Sequence, residues 1–251
     1  MRLNRLNDME TYIAQKGTVS LEELSAAFQI SEITVRRDLS ELEKRGGIQK
    51  VYGGAAAVRA DAPVPSEMRA QIHRKEKEWI GALAASLVGD NETVFIDSGS
   101  TTACIIPHLA SKQNITIVTH SLSALTEAAK FKGLNVVSIG GFFSRATASF
   151  VGGSAQTALS EMNIRTAFMG ATGVSIENGL SNSTLFEAEI KKCAVAHSSR
   201  IILTADHHKF GQNALLTFCP LSRLDAVVTD RPPEAPYTAF FEQHQILLAC
   251  K

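Results

Sequence analysis

Thr34, Arg36, Arg37 and Ser40 are interleaved with the apolar Val35, Leu39 and Leu42. At helical spacing the apolar three share an inner face and the polar four turn outward. An arginine fork fits guanine edges or phosphate oxygens, and short hydroxyls add contacts, which is the chemistry of a helix in a DNA major groove. The same residues alone also describe an ordinary solvated helix face. A second group, Asp97-Ser98-Gly99-Ser100-Thr101-Thr102, joins a carboxylate to a glycine that admits close backbone approach and to hydroxyls and amides suited to an anion. It lacks the glycine-lysine pair of a Walker loop, and it is not a dinucleotide fingerprint. A capped helix start after a strand accounts for it equally well.

The elements that position the first group are legible around it. Ser20 with Glu23 forms a capping box for a helix over Leu21–Phe28, whose Leu21, Leu24 and Phe28 make one buried stripe. A turn at Gln29 and Ile30 follows, and Ser31 caps a second helix. Gly46-Gly47 and Gly53-Gly54 bracket a strand over 48–52, with another over 55–58, which predicts a β-wing. An upstream helix over Arg2–Lys16 closes a small core with Leu6, Met9 and Ile13.

This arrangement resembles the winged helix-turn-helix of the DeoR family of bacterial transcriptional repressors. The family pattern VS-x-x-T-[IV]-RRDL-x-x-L, ending in a GGA wing, stands here as Ile30-Ser31, residues 34–39, Leu42 and Gly53-Gly54-Ala55. The resemblance implies that Ser31, Thr34, Arg36, Arg37 and Ser40 meet operator DNA. In the wing it adds Lys50 and Tyr52, where family members usually carry Arg-Val-His ahead of Gly-Gly-Ala.

Composition bounds the rest. The chain has 251 residues, 45% of them apolar, enough for one small and one medium domain. Lys plus Arg and Asp plus Glu number 25 each, so no global charge draws it to nucleic acid and affinity must come from local arginines. Cys104, Cys193, Cys219 and Cys250 are too dispersed for zinc-ligand spacing, and the adjacent His207 and His208 lack a third ligand, so no metal and no cofactor are expected. No apolar run suits a bilayer or a signal peptide, which predicts a cytoplasmic protein with no membrane partner.

Two prolines thin the pattern near residues 58–67. The expected organisation is a winged helix-turn-helix over 1–57, a linker over 58–72 and an α/β domain over 73–251. Beyond the linker a helix over 79–87 leads into strands over 93–97, 115–119, 135–139, 166–169, 201–204, 226–229 and 246–249, with helices from Thr102 and over 122–130. Such alternation predicts a mostly parallel sheet, with ligands at the carboxyl ends of its strands. There lie Asp97 to Thr102, then Thr119-His120-Ser121, Gly140-Gly141, Gly170-Ala171-Thr172-Gly173 and Asp206-His207-His208-Lys209. Lys209 suits a phosphate or sugar oxygen, while Glu187 and Asp206 suit sugar hydroxyls. Each is equally at home as a solvated surface charge.

These pieces resemble the sugar-phosphate sensor domain of the same family, with its DSGTT loop, TN strand end, GG pair, E-x-E-x-x-x-K helix and ADxxK segment. They stand here at 97–101, 119–121, Gly140-Gly141, 187–192 and 205–209, and Lys77 matches a lysine of the leading helix. The resemblance implies a fold similar to ribose-5-phosphate isomerase and the coenzyme A transferases, and a phosphorylated sugar as effector. The departures are Ser100 for threonine, His120 for asparagine and His207-His208 for two serines. Two functions follow: a carbohydrate-operon repressor whose operator affinity responds to a sugar phosphate, or a sugar-phosphate isomerase with an appended DNA reader, using Glu187 or Asp206 as base and Lys209 as its electrostatic partner. The repressor is preferred, acting as a homo-oligomer, dimer or tetramer, because one helix in one groove buries too little surface to select a site.

Overall fold

The computed structural model describes residues 2–16, 18–51, 53–57 and 66–251, so Tyr52 and residues 58–65 of the expected linker lie outside the described residues. Two compact units result, Met1–Ile72 and His73–Lys251.

In the first unit, α1 (Arg2–Lys16), β1 (Thr18–Ser20), α2 (Leu21–Phe28), α3 (Glu32–Arg45), β2 (Ile48–Val51) and β3 (Gly54–Ala57) follow in order. The caps read from sequence are present: Ser20 Oγ accepts from the Glu23 amide at 3.0 Å and Ser31 Oγ from the Thr34 amide at 3.4 Å. Gln29 between α2 and α3 takes the left-handed conformation that turns the chain, and Gly46 does the same after α3. Leu6, Met9, Ile13, Leu24, Val35, Leu39, Leu42 and Ile48 form one buried core. The wing gains a strand that the sequence hid, because β1 pairs with β3 in the order β1-β3-β2. Gly54 permits this pairing, since a Cβ there would stand 2.0 Å from the Val19 carbonyl oxygen. Within the stretch expected as linker, Ser66–Gln71 is helical (α4). Its SEMRAQ residues are mostly good helix formers once the prolines are passed.

The second unit continues with α5 (Arg74–Ser86), β4 (Thr93–Ile96), α6 (Ile106–Leu109), β5 (Ile115–Thr119), α7 (Leu122–Ala128), β6 (Leu134–Ser138), β7 (Phe142–Ser144), β8 (Ser149–Val151) and α8 (Gly153–Ser160). Then come β9 (Ile164–Met169), β10 (Gly173–Ser175), β11 (Gly179–Asn182), α9 (Leu185–Ala196), β12 (Ser198–Thr204), β13 (Leu216–Cys219), β14 (Ala226–Val228), α10 (Ala235–Gln243) and β15 (Leu247–Ala249). Seven strands pair in parallel in the order β15-β14-β12-β9-β4-β5-β6. Alternate residues feed two separate cores: Phe95, Ala167, Met169, Ile201 and Leu203 enter one, and Val94, Ile96, Ile117, Phe168 and Ile202 the other. Near-continuous apolar strands are the signature of a sheet covered on both sides.

The sequence reading did not include α8 and α10, and three further features differ from it. The helix expected from Thr102 opens as a 3-10 turn, Thr102–Ile105, before the short α6. Pro107 has no N–H to extend an α ladder backward. Packing also fixes this turn, since a Cβ on Gly81 of α5 would lie 2.3 Å from the Cys104 carbonyl oxygen. A hairpin, β7-β8, and an antiparallel sheet, β10-β11-β13, also went unread. Their strands are three or four residues long, too short for a hydrophobic period to declare itself.

Candidate functional site

Strand order reverses at β4: the chain proceeds through β5 and β6 on one side, and through β9, β12, β14 and β15 on the other. Loops leaving the carboxyl ends of the two strands at such a point diverge and leave a crevice. Those loops here follow β4 and β9, and their first residues pack closely at Gly99 and Gly170, where a Cβ on either would stand 3.4–3.5 Å from the other's Cα. One on Gly170 would also reach within 3.2 Å of Asp97 Oδ2.

Asp97 closes β4 and is fully buried. Its Oδ2 accepts from the Gly170 amide at 2.9 Å and from the Lys191 ammonium of α9, which also donates to the Gly170 carbonyl at 2.9 Å. Burial alone would raise the Asp97 carboxyl, but the Lys191 charge, together with His120 and the Gly170 amide, holds it below the usual carboxylate range. Lys191 therefore ties the β4 loop, the β9 loop and α9 together, although only a lysine somewhere in 187–192 was anticipated. The buried stripe of α9 carries the missing signal: Glu187 and Lys191 are four residues apart on its inner face, and Lys192 is exposed.

Glu187 is also buried, and both its oxygens are engaged. Ser98 Oγ donates to Oε1 at 2.8 Å, while Asn182 Nδ2 and Thr184 Oγ1 donate to Oε2 at 2.8 and 3.1 Å. Nothing in the local sequence singles out Asn182 or Thr184, which arrive from β11 and the turn after it. The hydroxyls expected to face a ligand are similarly placed: Thr102 Oγ1 donates to the carbonyls of Asp97 and Gly99, and Thr119 Oγ1 to that of Ile96. Their protons brace the strand ends and are spent on backbone carbonyls. Ser100 borders the same turn and accepts at its carbonyl from Cys104 Sγ. Thr101 is buried beside it.

His120, at the end of β5, is wholly buried with Phe95 stacked parallel to its ring at 5.7 Å. Its backbone carbonyl accepts from Phe150 in the β7-β8 hairpin at 2.7 Å. Neither ring nitrogen has a hydrogen-bond partner, and Asp97 Oδ1, 3.9 Å from Nε2, has none either. Burial pushes the imidazole below its usual value, against the opposing pull of Asp97, so the ring is neutral at pH 7. Gly140 and Gly141 leave β6 at the same rim; Gly140 is exposed, while Gly141 has φ +138° and lies against the Val151 carbonyl.

Asp206 and Lys209 follow β12, two strands from β4, or about 10 Å at ordinary strand spacing. No hydrogen bond joins them to residues 97–102 among the described residues. Asp206 is buried and caps its own turn, accepting from the His208 amide at 3.1 Å, with Oδ2 unpartnered. His207 pairs with Asp230 at 2.7 Å, and His208 stacks on His73 at 3.9 Å. The Lys209 side chain engages no ion pair among the described residues, in which no cluster of three or more metal-ligating side chains occurs either.

On α3 the outward face is open. Arg36 and Arg37 are exposed, and Arg36 has a loose 3.5 Å contact with Glu32. Thr34 Oγ1 lies 3.0 Å from Ser31 Oγ, and Ser40 donates to the Arg36 carbonyl at 2.8 Å. Lys50, read as a wing residue free for phosphate, reaches back to Ser40 Oγ at 3.2 Å and Glu43 at 3.0 Å. Asp38 is the buried counterweight, gripped by Arg5 at 2.8 Å.

A winged helix-turn-helix with exposed arginines, on a chain whose second unit is a parallel α/β sheet with a topological switch point, defines a DNA-binding regulator with a sensor domain. The chain belongs to the DeoR family: the DeoR-like helix-turn-helix domain matches residues 5–60 and the DeoR C-terminal sensor domain residues 72–231. It is similar to the HTH-type transcriptional regulator IolR of Bacillus subtilis, 44% identical over 98% of each chain. It is also similar to the glycerol-3-phosphate regulon repressor of Escherichia coli, 29% identical over 97% of each. A solved D-ribose-5-phosphate isomerase in complex with phospho-erythronic acid superposes with a TM-score of 0.42, at 19% identity over 55% of this chain and 54% of that one.

Proposed function

We propose that the protein represses a carbohydrate-catabolism operon, and that a phosphorylated sugar in the switch-point crevice alters its grip on the operator. Glu187 carries the choice against the isomerase: three donors engage its two oxygens and fill most of a carboxylate's acceptor sites, which suits a buried brace better than a general base poised at a substrate carbon. A sensing role asks for nothing more than a rigid, polar, preorganised rim, which suits these cross-links. In this reading Arg36, Arg37 and Thr34 meet bases or phosphates, with Ser31, Ser40, Lys50 and Tyr52 alongside.

The effector's anionic end rests against the backbone of residues 98–102 and Gly170, with Lys209 supplying charge from the rim. Gly140, Gly141 and His120 shape the far wall. Thr102, Thr119, Glu187 and Asp206 hold the loops in place, as does Asp97 through Oδ2, which leaves its Oδ1 unspent. The protein acts in the cytoplasm as a homo-oligomer, because two reading heads on two half-sites supply the selectivity that one lacks.

The test pairs turnover with binding. Purified protein is expected to show no isomerisation of ribose 5-phosphate, while one member of a sugar-phosphate panel raises its melting temperature. Turnover that disappears in Glu187→Ala would reverse the assignment.

A further inference from the structure

We propose that His120 and Asp97 form a preformed subsite for a ligand hydroxyl, making His120 a specificity-determining residue of the sensor. The proposal rests on the crevice being the effector site and names which chemical group is read there. Three polar atoms in this corner, His120 Nδ1 and Nε2 and Asp97 Oδ1, are buried and unpartnered. Buried polar groups almost always have partners, so such a concentration at a switch point marks a place kept for something.

The geometry narrows the occupant. His120 Nε2 and Asp97 Oδ1 stand 3.9 Å apart, too far to bond and near enough for one oxygen to lie at about 2.8 Å from both. Asp97 is an acceptor, because Lys191 holds it ionised. In the neutral ring of His120 the Asp97 charge facing Nε2 favours the tautomer with its proton there, so Nε2 donates; Lys191 and Glu187 are the other charged groups acting on the ring. The bridging atom must therefore donate to Asp97 and accept from His120. A hydroxyl does both, whereas a carbonyl or ether oxygen cannot donate. The ring is packed in place, wholly buried and stacked on Phe95. The effector accordingly bears a free hydroxyl on the carbon that reaches this corner, and its keto or deoxy analogue binds less well.

His120→Phe keeps the aromatic shape against Phe95 and deletes both nitrogens. A buried polar group without partners costs stability, so the ligand-free variant should melt about 2–4 °C above wild type. Ribose 5-phosphate, 2-deoxyribose 5-phosphate, glycerol 3-phosphate, dihydroxyacetone phosphate and inorganic phosphate serve as probes. A hydroxylated probe that binds the wild type should lose about 10-fold or more in affinity to the variant, while any inorganic-phosphate response persists. A variant that melts lower, does not fold, or binds the hydroxylated probe as tightly as wild type overturns the assignment, the last leaving only a structural water in the gap. If no probe binds the wild type, the effector reading fails, and the melting temperature of the ligand-free variant then decides whether His120 is a strained polar residue held in reserve.

Discussion

The outward face of α3 and the crevice beside β4 are both polar, yet they use their polarity in opposite ways. On α3 the arginines stand in solvent with their donors nearly unspent. At the switch point the charged groups are buried and held by the fold: Asp97 by the Lys191 ammonium, and Glu187 by hydrogen bonds from Ser98, Asn182 and Thr184. A surface that awaits a polyanion can be assembled by one helix and screened by water until it binds. A pocket that must discriminate small molecules needs its walls fixed beforehand, and one buried ion pair with a hydrogen-bonded buried carboxylate beside it fixes them at a high desolvation cost.

If that contrast holds, substitutions in the crevice should damage folding and substitutions on α3 should damage binding alone. The largest effect belongs to Lys191→Met, which strands the Asp97 charge and should destabilise the second unit by about 3–5 kcal/mol in urea unfolding. Its pH dependence should change sign. In the wild type the Asp97 pKa is depressed, so its stabilisation is complete above the carboxyl's unfolded value and is lost as pH falls through the lower folded one. In the variant an unpaired buried carboxyl is raised instead, so acidification relieves it. A variant that loses stability in acid as the wild type does would show that Lys191 does not compensate Asp97.

Glu187→Gln keeps the shape, loses the charge and mismatches one donor, and should cost about 1–3 kcal/mol by the same assay. Arg37→Ala should weaken operator binding by about 1–3 kcal/mol in fluorescence anisotropy while the melting temperature stays put. Lys50→Ala should do least, because its ammonium already has Glu43: about 0–1 kcal/mol in stability, with the salt slope of operator binding reduced by about one at most. A stability loss in Arg37→Ala as large as that in Lys191→Met would erase the distinction between the two regions.

The same contrast explains what was legible in the sequence. The reading head is local: Ser20, Glu23, Ser31, Val35, Leu39 and Leu42 declare their helices through spacings of three and four, and the Ser20 and Ser31 caps are found where they were read, although the Glu23 carboxylate turns to Tyr12 and Lys16 instead of closing the box. The seven parallel strands were likewise visible as apolar runs. The crevice is non-local, with Ser98 bonded to Glu187 and Asp97 to Lys191 across 89 and 94 positions. Sequence could nominate Asp97 and Glu187 as chemically able, yet not that both oxygens of Glu187 and one of Asp97 are engaged inside the fold. Nor could it show His120 left without a partner, because that is a property of distances between strand ends.

Operator affinity measured with and without the sugar phosphate that raises the melting temperature tests the coupling of the two regions most directly. Differential binding worth about 1–3 kcal/mol predicts a change of about 5- to 150-fold in the dissociation constant, in either direction. A ligand that demonstrably occupies the protein and leaves operator affinity unchanged would contradict the account.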